Sequence, residues 1–90
     1  MNKLRLSFMP QGWEDYIYWQ TQDKKTLKRI NKLIIDIYRN GYEGIGKPEP
    51  LKHELSGYWS REIDEANRVV YIITKTEIII FSCRTHYGYT

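Results

Sequence analysis

The sequence predicts an α+β domain in which a small antiparallel sheet carries a two-helix hairpin on one face. Two consecutive segments with apolar residues at helical spacing, 10–20 and 23–40, supply the hairpin. Three short runs rich in β-branched and aromatic residues, at 58–63, 68–74 and 78–86, supply a meander, and an alternating run near the N-terminus adds a strand. The 90 residues, 1–90, form one domain with a modest core, which a partner would help to stabilise.

Leu4, Leu6 and Phe8 alternate with Arg5 and Ser7, the period-two pattern of a strand with one buried face. Pro10 fits the first position of a helix, where its missing N–H costs nothing. Trp13, Tyr16 and Ile17 recur at i, i+3 and i+4, predicting a short amphipathic helix with its aromatics in the core; Glu14 and Asp15 suit the dipole near its start. Stacking of Trp13 or Trp19 on a nucleobase is the rival use of those rings. Asp23 can cap a second helix, with Leu27, Ile30, Ile34 and Ile37 along one stripe and Asn40-Gly41 as its stop. From 23 to 40, six basic residues oppose two acidic ones, a local +4 in a chain of net charge +3. Such a face suits a polyanion or an acidic partner, or is simply solvated. In the last strand, Ile78-Ile79-Ile80-Phe81 is a continuous apolar run, as expected of an interior strand.

Between the hairpin and the meander, 42–57 is too long for a turn and is a candidate binding or catalytic loop. Pro48 and Pro50 flank Glu49, and their fixed φ and bias on preceding residues hold that carboxylate on a stiff segment. Glu49 is then either an aimed group or a solvated acid on a rigid connector. Lys47, Lys52 and His53 lie beside it, and Arg61 stands at the loop's exit.

Several function classes are excluded. A single cysteine, Cys83, forms no internal disulfide and fits a reducing, cytoplasmic compartment. No apolar run approaches the ~20 residues of a membrane span, and the charged start is not followed by a signal-peptide core. Two histidines and one cysteine stand at no metal-ligand spacing, without the acidic cluster of a two-metal nuclease, so neither metal nor other cofactor is expected. No glycine pattern cradles a nucleotide phosphate. Cys83 ends an apolar strand and reads as a packing thiol. What remains is metal-free RNA cleavage through the substrate's own 2′-OH, which needs a base, cations for the phosphorane and an acid for the leaving oxygen. Glu49, Arg68, Arg61, Lys47, Lys52 and His86 with Tyr87 offer that set. If the last strand stays extended, Arg84 and His86 share a face, and with Arg68 they would line a cationic cleft under the loop. Basic residues on an exposed sheet face also serve solubility, so both readings stand on the residues alone.

The segment Gly46-Lys47-Pro48-Glu49-Pro50-Leu51-Lys52-His53, then Leu55-Ser56-Gly57, Trp59-Ser60-Arg61, Asn67-Arg68-Val69-Val70-Tyr71 and Cys83-Arg84-Thr85-His86-Tyr87, resembles the YoeB (Txe/YoeB) family of RelE-like bacterial toxins, from about 13 to 87. The resemblance implies the RelE/microbial-ribonuclease fold and a ribosome-dependent endoribonuclease that cuts mRNA at the A-site codon of the 70S ribosome. It implies Glu49 as general base, Arg68 as stabiliser of the transition state, His86 as general acid and Tyr87 as a residue shaping the site. Lys47, Lys52 and Arg61 become RNA contacts, and His53 is read as a structural histidine of the loop rather than a catalyst. It further implies a homodimer silenced by a Phd/YefM-type antitoxin. Glu62 departs from the pattern by standing where a cation is usual, which implies a weaker hold on RNA there, and Gly88-Tyr89-Thr90 extends past the usual His-Tyr end, where a folded-back tail would restrict the site. The rival from another class is a catalytically silent RNA- or antitoxin-binding module of the same fold, which would need the cations but no placed carboxylate.

Overall fold

In the computed structural model, residues 4–85 are described. β1 (Arg5–Phe8) leads into α1 (Pro10–Gln22) and α2 (Lys24–Asn40); β2 (Glu49–Pro50), β3 (Trp59–Glu62), β4 (Arg68–Ile73) and β5 (Glu77–Ser82) follow. The sheet order is β1-β5-β4-β3-β2. From β3 to β5 neighbouring strands are antiparallel, as expected, and β2, inside the segment read as a loop, adds an antiparallel edge to β3, whereas β1 joins the far edge parallel to β5, with Leu6 opposite Ile78 and Phe8 opposite Ile80. A parallel pair needs a long crossover, and both helices and the loop lie between β1 and β5.

α2 forms as the sequence predicts. The Asp23 carboxylate accepts the N–H groups of Lys25 (3.0 Å) and Thr26 (3.3 Å), and Gly41 ends the helix by donating its N–H to the Ile37 carbonyl. Ile30, Leu33, Ile34 and Ile37 are buried against Val69, Tyr71, Ile78 and Ile80 of the sheet, while Lys24, Lys25, Lys28, Lys32 and Arg39 remain exposed.

α1 turns a different face inward from the one its apolar spacing suggests. Trp13 (51%) and Ile17 (41%) are exposed, and the buried positions are Gly12, Asp15 and Trp19. The reason is backbone contact with β5 and its exit. A Cβ on Gly12 would stand 2.4 Å from the Ile80 carbonyl oxygen, so only glycine lets the helix approach this closely. Asp15 Oδ2 accepts the Cys83 N–H (3.0 Å), and Trp19 Nε1 donates to the Cys83 carbonyl (2.7 Å). Trp13 packs instead at the surface against Phe8 and Tyr16, with ring centres 5.7 and 6.2 Å away.

β5 also ends earlier than expected, at Ser82. Val70 pairs with Ser82 but Tyr71 pairs with Ile80, so Phe81 is an extra residue in a bulge, which bends the strand. Arg84 therefore lies beyond the strand expected to carry it, and His86 lies outside the described residues. The Arg84 guanidinium lies 3.7 Å from the centre of the Tyr18 ring on α1, away from the expected cleft.

Candidate active site

Cross-strand register decides which residues meet. On the sheet face turned from the helices, Glu49 is opposite Ser60, Ser60 is opposite Val70, and Glu62 is opposite Arg68. Glu49, Ser60, Glu62 and Arg68 therefore share one face, because side chains alternate along each strand. Arg68 Nη1 lies 3.0 Å from Glu49 Oε1 and donates to Ser60 Oγ, also at 3.0 Å. The pair is half open to solvent, with 54% of the Glu49 side chain and 41% of that of Arg68 exposed, so it contributes at most about 1 kcal/mol to stability. Its consequence is orientation: a carboxylate and a guanidinium, reachable from solvent, held side by side on a sheet edge.

Glu49 is fixed by more than its prolines. The two-residue strand β2 pairs with β3, and the Leu51 N–H donates to the Tyr58 carbonyl (2.9 Å). On either side of β2 the backbone enters the left-handed region at Lys47 (φ 50°) and His53 (φ 59°), an uncommon conformation for non-glycine residues that reverses the chain. Both side chains, and that of Lys52, are exposed around Glu49. His53 opens a single 3-10 turn, His53–Leu55, and its carbonyl accepts the Ser56 N–H (3.0 Å).

Arg61 does not belong to this face. It points to the helix side, is fully buried, and anchors the loop's base, which corrects its expected role as an RNA contact. Its Nε donates to Tyr71 Oη (3.1 Å), Nη1 to Asp36 Oδ2 and to the Ile45 carbonyl (3.1 Å), and Nη2 to the carbonyls of Gly41 (2.7 Å) and Glu43. Alternation is the physical reason: Ser60 and Glu62 face the site, so Arg61 between them must face the core. The Asp36 carboxylate, hydrogen-bonded to Arg61, is held below the usual carboxylate range and also accepts the Ile45 N–H (3.0 Å). Gly44 sits at φ 118°, and a Cβ there would stand 2.0 Å from Asp36 Oδ2, so the loop needs glycine at that point. Asp36 and Tyr71 carried no sequence signal for this role, being one acid in a basic helix and one aromatic in an apolar strand.

Ser60 is the site residue that sequence reasoning missed. It is 1% exposed and supports Arg68 from below; strand alternation placed it on the right face, but only the register puts it between Glu49 and Arg68. Near the centre of the same face Ser82 is fully buried, and its Oγ has no hydrogen-bond partner among the described residues. Burial pushes the Cys83 thiol up to about 12, in keeping with a packing thiol. His86 and Tyr87 lie outside the described residues. Among the described residues, no three or more His, Cys, Asp and Glu side chains form a group able to hold a metal ion, and no helix is long and apolar enough to cross a membrane.

The chain has counterparts among known proteins in sequence and in fold. The model of the YoeB-like toxins of bacterial type II toxin–antitoxin systems matches residues 8–87. The YoeB toxin of Streptomyces coelicolor is 52% identical over 84 residues, covering 93% of this chain and 100% of the relative. The YoeB dimer from Staphylococcus aureus superposes with a TM-score of 0.87 at 52% identity, covering 93% of this chain and 98% of that one. The heterotetrameric YoeB–YefM toxin–antitoxin complex from the same organism gives 0.87 at 51% identity, covering 94% and 99%. Matched over residues 8–87 and 52% identical to a relative covered over its full length, the chain belongs to the YoeB-like toxins of bacterial type II toxin–antitoxin systems.

Proposed function

We propose that the Glu49–Arg68 pair and the residues following Thr85 form the active site through which this toxin, a ribosome-associated mRNA endoribonuclease, cuts the codon in the ribosomal A site. The observation that carries this reading is the 3.0 Å carboxylate–guanidinium contact on an accessible sheet edge. Glu49 takes the proton of a ribose 2′-OH, and that oxygen attacks the adjacent phosphorus. Arg68, steadied by Ser60, swings its remaining N–H groups onto the phosphorane oxygens, where charge gathers. His86 protonates the departing 5′ oxygen as the P–O5′ bond breaks, leaving a 2′,3′-cyclic phosphate and a free 5′-OH. Tyr87 orients the nucleotide, and Lys47 and Lys52, exposed on either side of Glu49, hold flanking phosphates. No step calls on a metal ion.

The exposed lysines of α2 suit ribosomal RNA or an acidic segment of an antitoxin. By likeness to the Staphylococcus aureus dimer and YoeB–YefM complex, the chain pairs with a second copy and is silenced by a YefM-type antitoxin. It acts in the cytoplasm, where ribosomes are.

Cleavage of a defined mRNA, with and without 70S ribosomes programmed with it, tests the reading. Cuts confined to the A-site codon, seen only with ribosomes and ending in cyclic or 3′-phosphate, are expected. Glu49→Gln and His86→Ala each lower the rate about 10²–10⁴-fold, the range for losing a general base or acid. Full activity in either variant would remove that residue from the mechanism, and a folded wild-type protein inactive in both arms would leave the binding-module reading.

A further inference from the structure

Three consecutive residues at the exit of β5 are each tied down by groups from other elements. Cys83 is held by Asp15 and Trp19 of α1, Arg84 by the Tyr18 ring, and the Thr85 N–H donates to Asn67 Oδ1 at 2.9 Å. The first two tethers lie within the helix–sheet packing. The third is different, because it crosses from a surface turn to the residue directly before His86.

Asn67 is prepared for that bond. Asp64 Oδ1 accepts the N–H of Ala66 (2.8 Å) and of Asn67 (2.7 Å), closing the β3–β4 turn. The Asn67 Nδ2 donates to both carboxylate oxygens of Asp64 (3.2 and 3.3 Å), which fixes the amide so that Oδ1 faces Thr85. The side chain has two partners and each uses the end that suits it: the NH₂ goes to the acid and the oxygen to the N–H. Asn67 immediately precedes Arg68, and Thr85 immediately precedes His86. One hydrogen bond therefore joins the backbone one step before the proposed stabiliser to the backbone one step before the proposed acid.

We propose that Asn67 is a positioning residue for RNA cleavage, its Oδ1–Thr85 hydrogen bond anchoring the backbone that leads into His86 to the turn that leads into Arg68. The proposal rests on the catalytic reading above. Arg68 is held by Ser60 and by β4, and Asn67 is the surface group that docks Thr85 to the turn before β4. Cleavage needs acid and stabiliser on one phosphate at once, and a misplacement of about 1 Å can cost on the order of 100-fold in rate.

The test compares Asn67→Ala with the swapped pair Asp64→Asn/Asn67→Asp, which exchanges amide and carboxylate, keeps an acceptor for the backbone N–H groups of positions 66, 67 and 85, and keeps one of the two side-chain bonds between positions 64 and 67. Single-turnover cleavage on programmed 70S ribosomes separates kcat from KM; amide exchange at Thr85 reads the hydrogen bond, and a thermal melt reads the fold. Asn67→Ala is expected to lower kcat about 10–100-fold with KM changed less than about twofold, to expose the Thr85 amide and to shift the pH dependence of kcat on the limb set by His86. The swapped pair is expected to restore both rate and protection. A merely structural turn residue would lower the melting temperature and leave the rate per folded molecule, and its pH profile, where they were. That outcome, with His86→Ala inactive, would overturn the proposal and leave the catalytic reading standing. If His86→Ala cleaves normally, the catalytic reading fails, and the positioning role fails with it.

Discussion

Replacing Arg61 with alanine removes a side chain that is fully buried and makes five hydrogen bonds, to Tyr71, Asp36 and the carbonyls of Gly41, Glu43 and Ile45. Two effects add. The loop carbonyls lose their donor, and Asp36 loses its cation while keeping only the N–H groups of Asn40 and Ile45. Breaking a buried ion pair from one side costs about 3–5 kcal/mol. The Asp36 side chain is 17% exposed and can take up water, which favours the lower end of that range. A domain of this size has a total stability of roughly 5–13 kcal/mol, so the loss is about a quarter of it or more. In urea denaturation the midpoint should fall by the equivalent of at least about 3 kcal/mol, and the melting temperature by about 12 °C or more. Arg61→Lys should recover less than half of this, since one ammonium cannot reach five acceptors from a planar fork. A variant with a stability loss under about 1 kcal/mol that is nonetheless inactive would refute the reasoning, because it would mean that the guanidinium meets RNA and not the loop.

Acid should probe the same pair. The folded Asp36 carboxyl titrates below its ordinary value of 3.8, chiefly through the Arg61 hydrogen bond, so its stabilisation is full above that value and is lost as pH falls through the depressed one. Asp36→Asn should thus flatten the acid limb of stability, and an unchanged limb would assign acid unfolding to other carboxyls. Gly12→Ala should destabilise by about 1–3 kcal/mol even though alanine is the better helix former by about 1, since the new methyl meets the Ile80 carbonyl; a gain in melting temperature would show that α1 does not approach β5 this closely. The Cys83 thiol, raised to about 12 by burial, should resist iodoacetamide at pH 8 in the native protein and react at the rate of unfolding. Rapid labelling of native protein would contradict its burial.

How much of the molecule was legible in the sequence depended on how local each signal was. The capped, striped helix from Asp23 to Asn40 was readable because a side-chain cap and apolar periodicity are short-range properties. The meander was readable for the same reason, as was Glu49 clamped between two prolines. The face of α1 was not: Trp13 and Ile17 have the right spacing for a core, but the hydrogen bonds from Asp15 and Trp19 to Cys83 and the closeness permitted by Gly12 turned the helix away from them. A fully buried arginine is likewise invisible beforehand, because an arginine at a loop's exit looks the same whether its partners are phosphates or carbonyls.

By itself, then, the sequence determined the two helices, β1 and the three strands of the meander, which residue types are at hand for RNA cleavage, and the family whose motifs they share, but not the short β2 inside the loop. Tertiary structure decided which of them meet. The register of β2, β3 and β4 set Arg68 against Glu49 over Ser60, and the same alternation sent Arg61 into the core. The bulge at Phe81 ended β5 and swung Arg84 onto Tyr18, while Asn67 took hold of Thr85. Each of these joins residues far apart in the chain, or turns a strand by one position, and neither has a trace in the local order of side chains, because a shift of one residue exchanges the two faces of a sheet.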